Sequence, residues 1–375
     1  MDSSHGSVAE AALALEDGSV FIGEAFGADV EAAAEVVFNT GMTGYQEVAS
    51  DPSYRGQMVV MTHPQIGNYG VSLAGAESIR PWIAALIVRD VAAVPNHWQA
   101  DERLETYLAR WGVPGLHGID TRALVRRLRE SGTQRGVLRR APPSGFLQAD
   151  LERLRQAARE APSVSQLELV NDVSGILPAP AAAEGRPDVA VLDCGSKWNI
   201  LRSLERRGVQ TRVYDWRTSA ATILADQPRA IVVSNGPGDP ARLPDVVAEV
   251  RTLAESGTPF LGICLGHQLL GLAAGGTTSR LVYGHHGGNH PVRDLRSGVV
   301  TITTQNHEFQ VDRESLPVDG GYEISRVNLN DGSVEGLRHR ELPVQSVQYH
   351  PEGCPGPQDS QELFDELLRQ AGLEQ

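Results

Sequence analysis

Pro259-Phe260-Leu261-Gly262-Ile263-Cys264-Leu265-Gly266-His267 decides the fold of the second half of the chain. An apolar run of strand length, 259–263, passes straight into a helix over 267–274, with a glycine on each side of a single cysteine. Such a strand-to-helix turn exposes the side chain at its apex, and the glycines allow neighbouring chains to approach closely. The positive end of the following helix favours a thiolate at Cys264. The Leu265 N–H, just after it, points where an oxyanion would form.

Working outward, 189–192 reads as an apolar strand, 199–207 as a helix ending at Gly208, and 209–214 and 231–234 as further strands. Strands alternating with helices predict a doubly wound, mostly parallel α/β sheet over 188–375, with its ligand site at the carboxyl ends of the strands. Residues 141–187 read as an inter-domain connection: Pro142-Pro143, a short helix near 151–159, then Pro162, Pro178, Pro180, an alanine run and Pro187. Residues 1–140 read as a β-rich α/β domain. Asp17-Gly18 is a hairpin-type turn, and strands are expected at 20–22, 59–62 and 83–88. One helix spans about 101–111 and stops at Gly112. A second is capped by Asp120 or Thr121, carries Arg122, Arg126, Arg127 and Arg129 on a solvated face, and ends at Gly132.

The 375 residues show no internal repeat and suffice for two or three domains. A net charge of −14 argues against a surface built to hold nucleic acid or an anionic membrane. Among the basic residues the only lysine is Lys197; all others are arginine. Three cysteines, Cys194, Cys264 and Cys354, are too few and odd in number for a disulfide framework, which points to a reducing compartment. With no basic leader and no apolar stretch of spanning length, a cytoplasmic protein is expected. Cys194 and Cys354 read as structural or incidental thiols.

A cysteine nucleophile needs a base, and the base needs a group that holds its tautomer. His350-Pro351-Glu352 follows the strand-like run 344–349, and the period of two along an extended chain places His350 and Glu352 on one side. Cys264, His350 and Glu352 would make a Cys-His-Glu triad. After the strand 231–234, the loop Ser234-Asn235-Gly236-Pro237-Gly238-Asp239-Pro240 can present backbone N–H groups to a developing negative charge. Tyr283-Gly284-His285-His286-Gly287-Gly288-Asn289-His290 reads as a polar, glycine-rich loop near the site. No Cys-x-x-Cys pair or His-Glu-x-x-His helix accompanies it, so no metal is expected. No Gly-Lys-Ser/Thr occurs, which removes the Walker route to nucleotide binding.

Gly262 to Gly266 with His267-Gln268, the Ser234 to Pro240 loop, and His350-Pro351-Glu352 resemble the class I, triad-type glutamine amidotransferases. In the first half, 35–47 (Glu-Val-Val-Phe-Asn-Thr-Gly-Met-Thr-Gly-Tyr-Gln-Glu), Asp51-Pro52-Ser53-Tyr54 and His63-Pro64-Gln65-Ile66-Gly67-Asn68 resemble the small subunits of carbamoyl phosphate synthetase. So do Ile119-Asp120-Thr121-Arg122, the run 284–291, and Gln305-Asn306-His307. This resemblance implies hydrolysis of L-glutamine through a cysteine thioester. Ammonia would pass through a tunnel to a larger, ATP-using subunit that makes carbamoyl phosphate from bicarbonate for arginine and pyrimidine synthesis. It implies a ligase working as a heterodimer, with no cofactor in this chain and ATP and magnesium on the large subunit. By carry-over, Cys264, His350 and Glu352 are catalytic. Glutamine is held by Ser53, Gly236, Gly238, Leu265, Gln268, Asn306, Glu308 and Phe309.

Glu308 departs from the glycine of the family pattern. It is tolerable if the contact there is through backbone, and strained if the chain needs a positive φ. Lys197 lies in Asp193-Cys194-Gly195-Ser196-Lys197-Trp198-Asn199-Ile200, a strand-to-helix loop. A compact ammonium fits where a planar guanidinium does not, so a role near the site or at a subunit contact is expected, against chance survival. Two other functions are weighed. An amidotransferase subunit of another biosynthetic synthase would lack the N-terminal half seen here, and a silent scaffold would have lost its nucleophile or base.

Overall fold

The computed structural model describes residues 9–175 and 185–373. The chain divides into two compact units, Met1–Ala76 with Arg80–Leu167, and Glu77–Ile79 with Glu168–Gln375. Part of the proline-rich connection, including Pro178 and Pro180, lies outside the described residues.

Among the described residues the first unit is built on nine strands: β1 (Glu10–Leu15), β2 (Val20–Gly27), β3 (Ala32–Asn39), β4 (Gln57–Met61), β5 (Gln65–Ile66), β6 (Ala85–Ile87), β7 (Asp90–Val91), β8 (Pro114–His117) and β9 (Gln134–Arg140). Seven of them close a barrel in the order β1-β2-β8-β6-β4-β3-β9, while β5 and β7 pair separately. Closure leaves no open edge in that sheet. The β1–β2 hairpin turns at Gly18, with φ 92°, and Ser19 N–H donates to Asp17 Oδ1 at 2.8 Å.

Three helices sit among these strands: α1 (Tyr45–Ser50), α2 (Leu104–Arg110) and α3 (Thr121–Ser131). Asp120 caps α3, accepting from Ala123 N–H at 2.9 Å, and Gly132 ends it with φ 87°. The four arginines of α3 are exposed, and Arg127 pairs with Asp17 at 2.6 Å. The helix expected inside the connection is α4 (Gln148–Glu160), and it belongs to the first unit. Its Leu154 and Ala158 pack on Ala12 and Ala14 of β1 and Val137 of β9. A helix with an apolar stripe has to bury it, which a free linker cannot do.

In the second unit, the short α5 (Val170–Val173) precedes β10 (Val189–Asp193), α6 (Trp198–Glu205), β11 (Thr211–Asp215), α7 (Ala220–Ala225), β12 (Ala230–Val233), α8 (Pro244–Glu255), β13 (Phe260–Ile263) and α9 (Leu265–Ala273). Then follow β14 (Thr278–Asp294), β15 (Val300–Val311), β16 (Tyr322–Asn328), β17 (Val334–His339), β18 (Val344–Val347) and α10 (Glu362–Gln370). They form one nine-stranded sheet in the order β11-β10-β12-β13-β18-β17-β16-β14-β15. The strands from β11 to β18 are parallel to one another, and β17, β16, β14 and β15 continue the sheet antiparallel.

The parallel half is doubly wound because its strands are apolar on both faces. Val189, Val191, Val232, Leu261 and Ile263 pack with Ile200 and Leu204 of α6 and Phe364 and Leu367 of α10. The alternate residues Ala190, Leu192, Ile231, Val233 and Phe260 pack with Ile223 of α7, Val250 and Leu253 of α8, and Leu269 of α9. The run 283–290 is part of β14 and not the loop expected from its glycines. It pairs with β15 through two irregularities in register, between Arg280 and His285 and between Gly287 and His290. Gly284 (φ 69°) and Gly287 (φ 136°) supply the bent backbone those bulges need. Among the described residues no helix is long and apolar enough to cross a membrane.

Candidate active site

Cys264 stands between β13 and α9 with φ 52° and ψ −100°, a conformation costly for a residue with a Cβ. Its neighbours explain the two glycines. A Cβ on Gly262 would come within 2.7 Å of the Gly266 carbonyl oxygen, and one on Gly266 within 2.3 Å of the Val233 carbonyl oxygen. The turn is pinned on both sides: Cys264 N–H donates to Val347 O at 2.8 Å, and Gly266 N–H donates to Ser234 O at 3.1 Å. Leu265 opens the helix, so its N–H has no acceptor within that helix.

His350 and Glu352 lie just beyond β18, which is the parallel neighbour of β13. His350 Nδ1 and Glu352 Oε1 are 2.6 Å apart, and both side chains are fully buried. His350 N–H donates to Thr304 O at 2.9 Å, which fixes the ring's backbone to β15. His350 Nε2 is buried, and the Cys264 thiol interacts with the ring through a hydrogen bond and its charge. Burial alone would push the imidazole toward its neutral form, but the Glu352 carboxylate and the Cys264 thiol outweigh it and raise its pKa. Burial pushes the other way on Glu352, where the Lys197 ammonium and the His350 ring prevail and hold the carboxyl well below the usual range.

Lys197 caps this arrangement from the loop after β10. Its Nζ lies 3.1 Å from Glu352 Oε1 and donates to Gly353 O at 2.6 Å, with the side chain buried. Lys197 N–H donates to Asn235 Oδ1 at 3.1 Å, and Asn199 Nδ2 donates to the Glu352 carbonyl. Glu77, from the short segment Glu77–Ile79, joins the same neighbourhood: Asn199 N–H donates to Glu77 Oε2 at 3.1 Å, and Arg202 Nη1 lies 3.3 Å from Oε1. Burial raises Glu77 to about 7 against the pull of Lys197 and Cys354.

The Ser234 loop packs against the loop after β10. Cys194 N–H donates to Ser234 Oγ at 2.9 Å, and Asn235 Nδ2 donates to Gly195 O at 3.0 Å. A Cβ on Gly236 would lie 2.1 Å from the Cys194 carbonyl oxygen and 2.8 Å from Leu265 Cδ2, so only glycine lets this loop reach the start of α9. Gly238 has φ 91°.

On the other side stands β15. Cys264 Sγ donates to Asn306 O at 3.5 Å. Gln268 Nε2 of α9 donates to Phe309 O at 2.8 Å and to Gln348 Oε1 at 3.2 Å. Glu308 lies in the extended β15, and the non-glycine residues with positive φ among those described are Gln227, Cys264 and Cys354. The backbone strain considered for Glu308 therefore does not arise. Ser53 belongs to the first unit, in the turn Pro52–Tyr54, where its N–H donates to Asp51 Oδ1 at 2.9 Å.

Sequence reasoning missed Gln348, whose Nε2 donates to Cys264 Sγ at 3.7 Å. The period of two that pairs His350 with Glu352 also puts Gln348 on their side, so the signal was present. It also missed Arg280 and Glu77, for which no local spacing exists, and placed His286 near the site only as part of the run 283–290.

His285, His307 and Glu335 bring potential ligand atoms within 4.8 Å of one another. Most of these atoms already have partners. His307 Nδ1 meets Phe309 O at 2.7 Å and its Nε2 meets Gln305 Oε1 at 3.0 Å, while Glu335 accepts from Gln305 Nε2 at 2.9 Å and Asn328 Nδ2 at 2.8 Å. His285 Nε2 meets Asp331 Oδ2 at 2.7 Å. The cluster ties β14, β15 and β17 together.

Residues 13–138 match the family described as carbamoyl-phosphate synthase small chain, CPSase domain, and residues 190–370 match glutamine amidotransferase class-I. Proteins called carbamoyl phosphate synthase small chain are similar along nearly their whole length. That of Symbiobacterium thermophilum is 49% identical, covering 94% of this chain and 96% of its own. Those of Aquifex aeolicus (45% identical) and Methanopyrus kandleri (47%) each cover 96% of this chain and 98% of their own. With both halves matched in order and the identity sustained from one end to the other, the chain belongs to the carbamoyl phosphate synthase small-chain family.

Proposed function

We propose that this chain hydrolyses L-glutamine at Cys264 and delivers the ammonia to a large, ATP-dependent subunit that makes carbamoyl phosphate from bicarbonate. The observation that carries the reading is the buried His350 to Glu352 contact of 2.6 Å beside a cysteine held on a strained turn. In the proposed sequence His350 Nε2 takes the Cys264 proton, and the thiolate attacks the side-chain amide carbon of glutamine. The tetrahedral oxyanion is met by the N–H of Leu265 and those of the Gly236 to Gly238 loop. The imidazolium returns its proton to the departing nitrogen, ammonia leaves, and a γ-glutamyl thioester remains. Neutral His350 then takes a proton from water as the water attacks the thioester carbonyl. The C–S bond breaks, and glutamate and the free cysteine are restored.

Glu352 holds the ring with its proton on Nδ1 and offsets the imidazolium charge, and Lys197 holds Glu352 in turn. Glutamine is bound by Gly236, Gly238, Leu265, Gln268, Asn306, the backbone at Glu308, and Phe309; the resemblance adds Ser53. The reaction uses no metal and no cofactor in this chain; ATP and magnesium belong to the partner. The enzyme acts as a heterodimer in the cytoplasm, in arginine and pyrimidine synthesis, and the whole complex is a ligase. A sister synthase is disfavoured by the first half of the chain, which matches the carbamoyl-phosphate synthase small-chain domain. A silent scaffold is disfavoured by an intact Cys264, His350 and Glu352.

Cys264→Ser tests the reading in the complex with the large subunit. Glutamine-dependent carbamoyl phosphate synthesis should fall by about a thousandfold or more, while synthesis from free ammonia is kept. Equal loss of both removes Cys264 from the role of nucleophile.

A further inference from the structure

Glu308 is built into its surroundings. The carboxylate is buried; Oε1 lies 3.0 Å from His286 Nε2 and Oε2 3.1 Å from Arg280 Nη2. Gly284 makes room for this pair: a Cβ there would lie 2.5 Å from His286 Nε2 and 2.9 Å from Glu308 Oε1. On its other side, His286 Nδ1 meets Asn306 Oδ1 at 3.1 Å, and the carbonyl of Asn306 accepts from the Cys264 thiol. Arg280, Glu308, His286 and Asn306 thus form a continuous chain from a half-exposed guanidinium to the residue that faces the nucleophile.

We infer that Glu308 is a positioning residue for glutamine, acting through His286 on the side-chain amide of Asn306. The inference rests on the glutaminase reading above and gives the Glu308 side chain a part in it. An ionised carboxylate only accepts, so it keeps a hydrogen on His286 Nε2. What Nδ1 carries then dictates which end of the Asn306 amide, oxygen or nitrogen, turns to the ring, and the opposite end turns away. A neutral residue at 308 leaves either ring nitrogen free to carry the hydrogen and the amide free to turn over. Arg280 fixes the second carboxylate oxygen and so holds Glu308 against rotation.

The test is steady-state glutamine hydrolysis by the full chain in its complex, with L-glutamine as the probe, for the wild type, Glu308→Gln and Glu308→Asp. Glu308→Gln should raise KM about tenfold, the scale of one lost charge-assisted hydrogen bond, with kcat within about twofold. Glu308→Asp retains the charge on a shorter arm and should recover part of that loss. The inference is overturned if Glu308→Gln keeps the wild-type KM. It is equally overturned if KM and kcat change together in proportion to a lowered Tm, or if Glu308→Asp is no better than Glu308→Gln. A wild-type complex that does not hydrolyse glutamine refutes the glutaminase reading instead, which separates the two failures.

Discussion

Two clusters in the second unit repeat one plan, a buried carboxylate between a histidine ring and a cation, and differ in what the second ring nitrogen meets and in the cation. At the end of β18, His350 meets Glu352 and Glu352 meets Lys197; across β14 and β15, His286 meets Glu308 and Glu308 meets Arg280. In each, a buried carboxylate between a ring and a cation is held below its usual range despite burial. The difference lies at the second ring nitrogen. His350 has its Nδ1 on Glu352 and interacts with the Cys264 thiol as well, whereas His286 Nδ1 is taken by the Asn306 side chain. A ring that meets a thiol can exchange a proton with it, and a ring held between a carboxylate and an amide can only orient its neighbour. The cations differ too. Lys197 is buried to 1% exposure of its side chain, while that of Arg280 keeps 30%.

The largest expected effect comes from closing the proton path. His350→Asn keeps a polar side chain and removes the base, so glutamine-dependent kcat should fall by about a thousandfold, with ammonia-dependent synthesis by the complex unchanged. A comparable loss in His286→Asn would erase the distinction between the two rings.

Exchanging the cations is the next way to break the comparison. Lys197→Arg gives the first cluster the cation of the second. The slot around Nζ is closed and ends on Gly353 O at 2.6 Å, so a longer planar group has to displace its walls. Glutamine-dependent kcat/KM should fall about tenfold, since overpacking costs ~1–3 kcal/mol; wild-type kinetics would mean that a compact ammonium is not required.

A third carboxylate sharpens the comparison because no lysine or arginine among the described residues is paired with it. Glu335 is buried against amide donors and the His285 ring, and burial lifts it from 4.5 to about 7. A raised carboxyl binds its proton more tightly when folded, so its contribution to stability is full below pH 4.5 and is lost as pH rises through 7. The drop in Tm between pH 5 and pH 7.5 should be smaller by about 2–4 °C in Glu335→Gln than in the wild type, as scanning calorimetry would read it. An unchanged drop would remove Glu335 as its source.

The smallest effect is expected from Arg280→Lys. The site is partly open to water and a lysine keeps the charge, so KM for glutamine should move by less than about twofold. A tenfold change would make Arg280 as constrained as Lys197.

Much of the candidate site was legible because its parts are local. Gly262-Ile263-Cys264-Leu265-Gly266 spells a strand-to-helix turn from five consecutive residues, and His350 and Glu352 are two apart on an extended chain. The run 283–290 reads as a loop because its glycines are turn formers. Its pairing with β15, which makes it a strand, is a contact the local sequence does not display. Lys197 stood out as the only lysine, which led to a role near the site or at a subunit contact; its partner Glu352 lies more than 150 residues away.

The sequence alone determined the parallel sheet of the second half, the strained cysteine, the paired histidine and glutamate, and the class of chemistry they suit. Each rests on periodicity or on the needs of one tight turn, which neighbouring residues state by themselves. The tertiary structure decided which carboxylate the lone lysine serves, that Glu308 is tied to His286 and Arg280, and that Gln348 reaches the thiol. Those are contacts between separate strands and loops, set by sheet order and register, and a few ångströms of register decide which buried charges meet.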